Sequence, residues 1–458
     1  MLAIIGGGWA GLACAAALLR RTSQPISVFE AAPSLGGRAR GLLWNDRTID
    51  NGQHLTIGAY RQTFALLQAA GAPGWIRTPL NWCGVGRHAA IEQQWPVPSQ
   101  AWPGRALWAA IPGFGPKGWP HTWRLSMAQT LFALHRQGWA LPNTSQDETA
   151  DPSVAQWLTQ RRVPQRLIQH FWQPFTEGAL NTELETARAS TMIHVLRDSL
   201  AGPAGACDVL VPRHNLSIDG VAPIAAWLAD QGVRIELGHR VHAIRPAAGG
   251  RWHVSTTADH AAPAIAADAV VIALPFHASE RLWADSALRP TAASRRWGQL
   301  EHRAITTIWI ALTKEQENAL SHLPPWFVLN PVAGLPHCGQ VAVRRAGTLG
   351  VVISAQKPHQ PDQGREHIAS QLALQLQQQL HLVYSPSDTK WITEKAATWA
   401  CTVDAPPPSR DEQLGKTGLP GLFRCADDLV EHYPATIESA VRSAETTANE
   451  VIDYLSAR

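Results

Sequence analysis

Gly6, Gly8 and Gly11, followed by an acid at Glu30, are the residue types and spacing that hold a dinucleotide. In such a turn the first glycine bends the chain tightly. The second lets the backbone come against a pyrophosphate, and the third lets helix and strand pack closely. Trp9 and Ala10 open a helix whose free N–H groups and positive dipole face the phosphates. Glu30 stands 19 residues beyond Gly11, where a carboxylate accepts bonds from a ribose 2′-hydroxyl and repels a 2′-phosphate. The elements that must position these groups are legible around them. Leu2-Ala3-Ile4-Ile5 has the composition of a buried strand, an alanine- and leucine-rich helix follows the glycines, and a second strand, Ile26 to Phe29, ends on Glu30. A glycine triplet alone is weak evidence; the whole series of strand, triplet, helix, strand and acid is specific.

Six residues after Glu30 comes a second glycine pair with a cation, Gly36-Gly37-Arg38. A nicotinamide domain has no need of it, whereas a second backbone approach plus a positive charge suits the longer pyrophosphate path of FAD. The stretch resembles the N-terminal signature of the amine-oxidase and carotenoid-desaturase flavoproteins. That resemblance implies FAD as cofactor and an α/β fold, a Rossmann-type FAD-binding domain with an interleaved α+β substrate domain. Two later stretches read as returns to the cofactor sheet: Gly232 to Val241, continuing towards Ile244, and Asp268 to Leu274, stopped by Pro275. In the family, the strand near Val241 meets the adenine through its backbone. Leu422 to Asp427 reads as a last strand ending on an acid, with Asp427 placed to accept from a ribityl hydroxyl. Pro434 to Arg442 reads as a helix with proline in its first turn, whose start around Thr436 and Ile437 would face the N1/O2 edge of a flavin. The expected division is 1–92, 205–285 and 391–458 in the cofactor domain, with 93–204 and 286–390 in the substrate domain.

Composition narrows the class further. With 458 residues the chain can bury a large core, and a net charge of +3 with 16% charged residues lacks a nucleic-acid footprint. Six scattered cysteines without a CxxC pair read as free thiols in a reducing cytoplasm, and no metal motif appears. No secretory leader is expected, because no basic region precedes the glycine-interrupted N-terminus, and no run is long and apolar enough to span a bilayer. Tryptophan is the oddity. Of the 20 Trp, ten fall between Trp75 and Trp172, and Gln93 to Gln146 contains no Asp or Glu but several Lys and Arg. Rings plus cations without acids suit peripheral contact with a membrane interface, with Trp102, Trp108 and Trp119 as the contact residues. The alternatives are an internal lipid tunnel or a plain helical core. Trp123, Met127, Leu131 and Leu134 share one helical face.

Asp50-Asn51-Gly52-Gln53-His54-Leu55-Thr56-Ile57-Gly58-Ala59-Tyr60, Phe171-Trp172-Gln173-Pro174-Phe175 and Pro434 to Ser443 are similar to one branch of these flavoproteins, the hydroxysqualene dehydroxylases of bacterial hopanoid synthesis. The similarity runs from residue 2 to about 445. It implies reductive loss of an allylic hydroxyl from a lipophilic C30 isoprenoid, with upstream prenyl synthases as candidate partners. Family members place the Gln53–His54 segment beside the isoalloxazine. Hydroxide leaves poorly, so a general acid is required, and His54 is the candidate. Asp50 reads as a turn-capping acid. The chain departs from its relatives at Ala426 and Ala444, where glycine is usual. Two other readings stay open: a carotenoid-type desaturase or amine oxidase, which would oxidise its substrate, and a non-catalytic flavin-fold partner that holds lipid intermediates.

Overall fold

The computed structural model describes residues 1–97, 117–141, 151–257, 264–288, 296, 299–332, 339–356 and 364–458. Leu2–Ile5, the apolar run before the glycines, is the centre of a five-stranded parallel sheet. Across it the order is Arg234–Leu237, Ile26–Glu30, Leu2–Ile5, Ala269–Ile272 and Leu422–Arg424. Leu2 pairs with both Ile26 and Ala269, and Ile5 with both Phe29 and Ile272. These strands are apolar at nearly every position because both faces are covered. Helices Trp9–Leu19, Ala222–Asp230 and Ile437–Ser456 pack on one side. A three-stranded antiparallel sheet, Val241–Ala247, Arg251–Thr256 and Ile265–Ala267, lies on the other. From Leu2–Ile5 the chain builds first to one side and later to the other. In such sheets the ligand crevice lies outside the carboxyl ends of the strands, where that order reverses.

The expected single strand running from Gly232 past Val241 is two strands in two different sheets, broken at Gly238, whose φ is +72°. The turn is held against the tip of the second strand, since His239 N–H donates to the Glu30 carbonyl (2.8 Å) and Gly238 N–H to that of Ala32 (3.1 Å).

A second, seven-stranded sheet has the order Thr389–Trp399, His302–Ala311, Thr348–Gln356, Val341–Arg345, Trp326–Leu329, Asn81–Val85 and Ile91–Pro96. Its pairing crosses the boundaries expected from sequence. Asn81–Val85 and the first two residues of Ile91–Pro96, assigned above to the cofactor domain, join the substrate sheet, which also extends to Trp399. Alternate residues of its strands feed opposite layers: Phe327 and Leu329 meet helix Arg365–Leu380, whereas Trp326 and Val328 meet a helical layer on the other face.

That helical layer includes His121–Arg136, Val154–Gln160, Gln173–Leu180 and Ala189–Leu196. It places Trp119, one of the three expected contact residues, in the interior. Trp95, Trp119, Trp123 and Trp139 are all buried, 4–9% exposed. Trp95, Trp119 and Phe171 pack mutually with centroids 5.6–5.7 Å apart, Trp119 sits 5.9 Å from Trp123, and Trp82 joins through Phe171 at 4.9 Å. The face of His121–Arg136 that carries Trp123, Met127, Leu131 and Leu134 is the inward one, so these rings serve the interior. Trp102 and Trp108 lie outside the described residues.

Candidate dinucleotide site

Each glycine of the first turn has a separate physical reason. Gly6 adopts φ +111°, and a Cβ there would stand 2.5 Å from the Ala273 carbonyl oxygen. Gly11 faces the turn so closely that a Cβ would meet the Gly6 carbonyl oxygen at 1.9 Å. Gly8 differs: it is the N-cap of helix Trp9–Leu19, and its Cβ would find only the Gly37 Cα, at 3.8 Å. No described residue fills that space, as expected where a ligand approaches backbone. Gly36 N–H donates to the Gly7 carbonyl (2.9 Å), which fixes the second glycine pair over this helix start. Trp9 and Ala10 contribute backbone only. The Trp9 ring is buried, its Nε1 donating to the Ala39 carbonyl at 2.8 Å.

Glu30 is pinned at the end of its strand, its Oε2 accepting from Gly7 N–H (2.7 Å) and its Oε1 from Ala32 N–H (2.8 Å). Val241 begins the strand that follows the turn bonded to Glu30 and Ala32. The structure therefore brings Gly6 to Gly11, Glu30, Gly37 and Val241 around one end of the crevice.

Arg38 and Asp427, 389 positions apart, meet over the glycines. Arg38 Nη2 donates to Asp427 Oδ1 at 2.7 Å, and Nη1 to the Ala397 carbonyl at 2.8 Å. Burial works against the guanidinium charge, but the Asp427 carboxylate outweighs it and raises the Arg38 pKa above its ordinary value. The adjacent acid, Asp428, has a different job. It is almost fully buried and accepts from Arg424 Nη1 (2.9 Å) and Arg296 Nη1 (3.2 Å), which overcome its burial and hold its pKa below the usual carboxylate value. Asp427 faces the site; Asp428 ties the framework together.

Asp50 anchors the segment that carries Gln53 and His54. It accepts from Leu216 N–H (2.8 Å) and Arg345 Nη2 (2.6 Å), while its carbonyl takes Trp309 Nε1 (3.0 Å). Burial raises its pKa against the pull of Arg345. Gln53 N–H reaches Thr307 Oγ1 at 3.4 Å, a contact between this loop and the substrate sheet that sequence reading missed. Both side-chain polar atoms of Gln53, and Nε2 of His54, are buried without a hydrogen-bond partner. Such unspent atoms are costly unless a ligand completes them. Burial first, and the Arg38 charge second, lower the His54 pKa to about 4, so its ring is neutral near pH 7.

At the C-terminal side the helix begins at Ile437 rather than with Pro434 in its first turn. Thr436 is the N-cap: its Oγ1 accepts from Ser439 N–H (3.1 Å), and Ser439 Oγ accepts from Thr436 N–H (2.9 Å). This reciprocal cap sets the boundary, leaving Pro434 in the approach loop. Glu438, fully buried, accepts from Gln62 N–H, Thr63 N–H and Arg442 Nε, which joins this helix start to that of Arg61–Ala69.

The flavin containing amine oxidoreductase family matches residues 9–452. The chain belongs to that family. It is a flavin-dependent oxidoreductase with the amine-oxidase fold. Across nearly its full length it is 24% identical to hydroxysqualene dehydroxylase of Zymomonas mobilis, covering 98% of this chain and 99% of the relative. The Sinorhizobium fredii protein of the same name is 25% identical over 291 residues, 61% of this chain and 62% of that relative. Among solved structures, putrescine oxidase bound to putrescine superposes with a TM-score of 0.69 at 15% identity, covering 99% of this chain and 98% of the other. A conjugated-linoleic-acid-producing fatty acid isomerase from P. acnes gives 0.67 at 13% identity, with 98% of each chain covered. These two likenesses concern the fold. The residues present fit a flavin dinucleotide: among the described residues, Gly8 leaves a cradle that nothing else occupies, and Gln53 and His54 hold buried polar atoms without a hydrogen-bond partner.

Proposed function

We propose that the chain holds FAD and reductively removes the hydroxyl of hydroxysqualene, yielding squalene and water. The observation that carries the reading is the contrast between the two sides of the site. Polar groups gather at the cofactor end, while the substrate sheet (Trp82, Trp95, Trp326) and the helical layer and loop packed on it (Trp119, Phe171, Phe175) form an aromatic tract. The chain-long similarity to the Zymomonas dehydroxylase supports the same reaction. Bound and reduced, FAD would supply the electron pair that replaces C–OH with C–H. Gly6, Gly8, Trp9, Ala10 and Gly11 would bind the diphosphate through backbone, with Gly37 and Arg38 opposite. Glu30 would take the ribose hydroxyls and Val241 would flank the adenine. Asp427 would hold the ribityl chain while keeping Arg38 in place. Gln53 would hydrogen-bond the ring edge, and the helix start at Thr436 and Ile437 would stabilise negative charge at its far side. His54 remains the candidate to assist hydroxide departure. Its neutral ring can hydrogen-bond the hydroxyl at once, but must gain a proton before it can give one.

Anaerobic incubation of the photoreduced protein with hydroxysqualene, followed by lipid extraction, tests the reading. Squalene should appear as the flavin reoxidises. No squalene from reduced protein with substrate bound would exclude it.

Delivery of so apolar a substrate supports peripheral lipid contact, which we place on the outward face of His121–Arg136 rather than on the buried tryptophans. Leu125 and Phe132 are 60% and 59% exposed there, in a stretch that contains Arg124 and Arg136 and no acid. Flotation with anionic liposomes should fall for Leu125→Asp/Phe132→Asp; equal flotation would refute this placement.

A further inference from the structure

Two histidines unassigned above, one in a helix and one on a strand, face the charges of Arg38 and Asp427. His277 lies in the first turn of helix Phe276–Asp285, just beyond the end of the parallel strand Ala269–Ile272. The intervening loop is pressed against the glycine turn, since the Ala273 carbonyl is what a Cβ on Gly6 would strike. His302 begins the substrate-sheet strand His302–Ala311, opposite Trp399 and near Ala397, whose carbonyl accepts from Arg38. The two rings meet edge to face with centroids 5.0 Å apart, and Phe276 stacks on His302 at 4.3 Å with planes 6° from parallel.

Nδ1 of His277 and both ring nitrogens of His302 are shut off from solvent without a hydrogen bond; the Thr398 backbone lies beside His302 without closing one of good geometry. The charged and titratable groups that act on the pair are Arg38 and Asp427 on both, Arg281 and the His302 ring on His277, and Asp428 on His302. Burial leads in lowering both pKa values, that of His277 to about 4, so both rings are neutral near pH 7. A phenyl ring packed flat against one imidazole holds it in place, and its nitrogens close no hydrogen bond of good geometry among the described residues. Such a pair is completed by a ligand that accepts hydrogen bonds.

We propose that His277 and His302 form the far wall of the diphosphate site, presenting ring N–H groups to phosphoryl oxygens across from Gly8 and Arg38, and that loading the site draws a proton onto the pair. The inference rests on the FAD reading. The charge balance points the same way. A diphosphate brings two negative charges, whereas Arg38 brings one positive charge already shared with Asp427. Helix Trp9–Leu19 adds about half a charge through its dipole. An imidazolium supplies the rest, and the incoming anion is what makes protonation favourable.

Calorimetric titration of the apoprotein with FAD, and separately with ADP, tests this in two buffers of different ionisation enthalpy. The wild type should take up a proton on binding either ligand, with uptake rising from pH 8 to pH 6 towards about one. His277→Gln and His302→Gln should each weaken both ligands about tenfold, the value of one lost charge-assisted contact. The double variant should lose the uptake, and His54→Gln should keep it. Folded variants, with an unchanged apoprotein melting temperature, that bind both ligands like wild type would overturn the proposal. So would a loss confined to FAD, which would move the pair to the ribityl or ring side. Should the histidine variants not fold, the wild-type proton count with His54→Gln beside it decides: no uptake between pH 6 and 7 overturns it. A wild type that binds neither FAD nor ADP would defeat the cofactor reading itself, an outcome distinct from all of these.

Discussion

Gly8→Ala separates what the glycine turn does for the fold from what it does for the ligand. The Gly8 backbone sits at φ −78° and ψ −178°, which alanine adopts without strain. The added methyl would meet only the Gly37 Cα, at 3.8 Å, an ordinary van der Waals contact. As an N-cap, alanine is poorer than glycine by roughly 0.5–1 kcal/mol. Restricting the unfolded chain offsets about 0.4–1 kcal/mol of that. The net change is about 0.5 kcal/mol or less, and the apoprotein melting temperature should move by under about 2 °C. Ligand binding should fare differently, because the methyl occupies the gap through which a phosphoryl group reaches the helix N–H groups. Losing one hydrogen bond to a charged oxygen costs about 1.5–3 kcal/mol, so FAD affinity should fall roughly ten- to a hundredfold. Quenching of flavin fluorescence on binding, beside thermal unfolding of the apoprotein, measures both quantities. Gly11→Ala is the contrast, since its Cβ would lie 1.9 Å from the Gly6 carbonyl oxygen and must lower stability as well. Gly8→Ala protein that is as stable as wild type and binds FAD equally well would refute the argument that this gap receives the diphosphate.

Three further outcomes follow from other contacts. The His54 pKa of about 4 in the folded state lies below the ordinary 6.5, so its contribution to apoprotein stability is present above about pH 6.5 and is lost as pH falls towards 4. By pH 5 the loss is about 2 kcal/mol. Urea unfolding at pH 7.5 and 5.0 should show a smaller acid loss for His54→Gln, and an unchanged loss would contradict the buried neutral ring. Asp50→Ala leaves Arg345 and the Leu216 N–H without their acceptor and should cost about 3 kcal/mol, read as a lower melting temperature; a shift of under about 2 °C would refute its anchoring role. Thr436→Ala removes the cap of the C-terminal helix and should cost about 1 kcal/mol with a smaller effect on FAD affinity than Gly8→Ala. The reverse ranking, by fluorescence titration, would count against that division of labour.

The parts of the site that were legible in the sequence are those whose cause is local. Gly6, Gly8 and Gly11 carry their reasons within one turn, and Glu30 follows from the length of one helix and one strand. The break at Gly238 was missed because the residues on both sides favour strands; a backbone bond to Glu30, far away in sequence, decides it. Pro434 drew the helix start too early, since the reciprocal bonds of Thr436 and Ser439 outweigh a residue that merely tolerates a first turn. Which of Asp427 and Asp428 faces the site depends on where Arg38, Arg296 and Arg424 arrive, and no spacing records that. Trp119 was misplaced for a similar reason. Composition shows that a segment has amphipathic rings, but Phe171 and the substrate sheet decide that Trp95, Trp119 and Trp123 turn inward. His277 carried one usable signal, its place just past the end of a parallel strand, where such sheets meet their ligands.

The cofactor sheet also constrains how the protein comes into being. Its central strand, Leu2–Ile5, needs Ala269–Ile272 on one flank, and helix Trp9–Leu19 packs on helix Ile437–Ser456. During synthesis the glycine turn therefore emerges hundreds of residues before the partners that close it, and its central strand waits with an open edge. Pairings so distant in sequence form slowly and leave apolar surface uncovered meanwhile. A ribosome-bound chain cannot complete the nucleotide cradle until residues 422–456 have been made. The nucleotide cradle is thus among the last parts of this fold to close, however early its glycines are made.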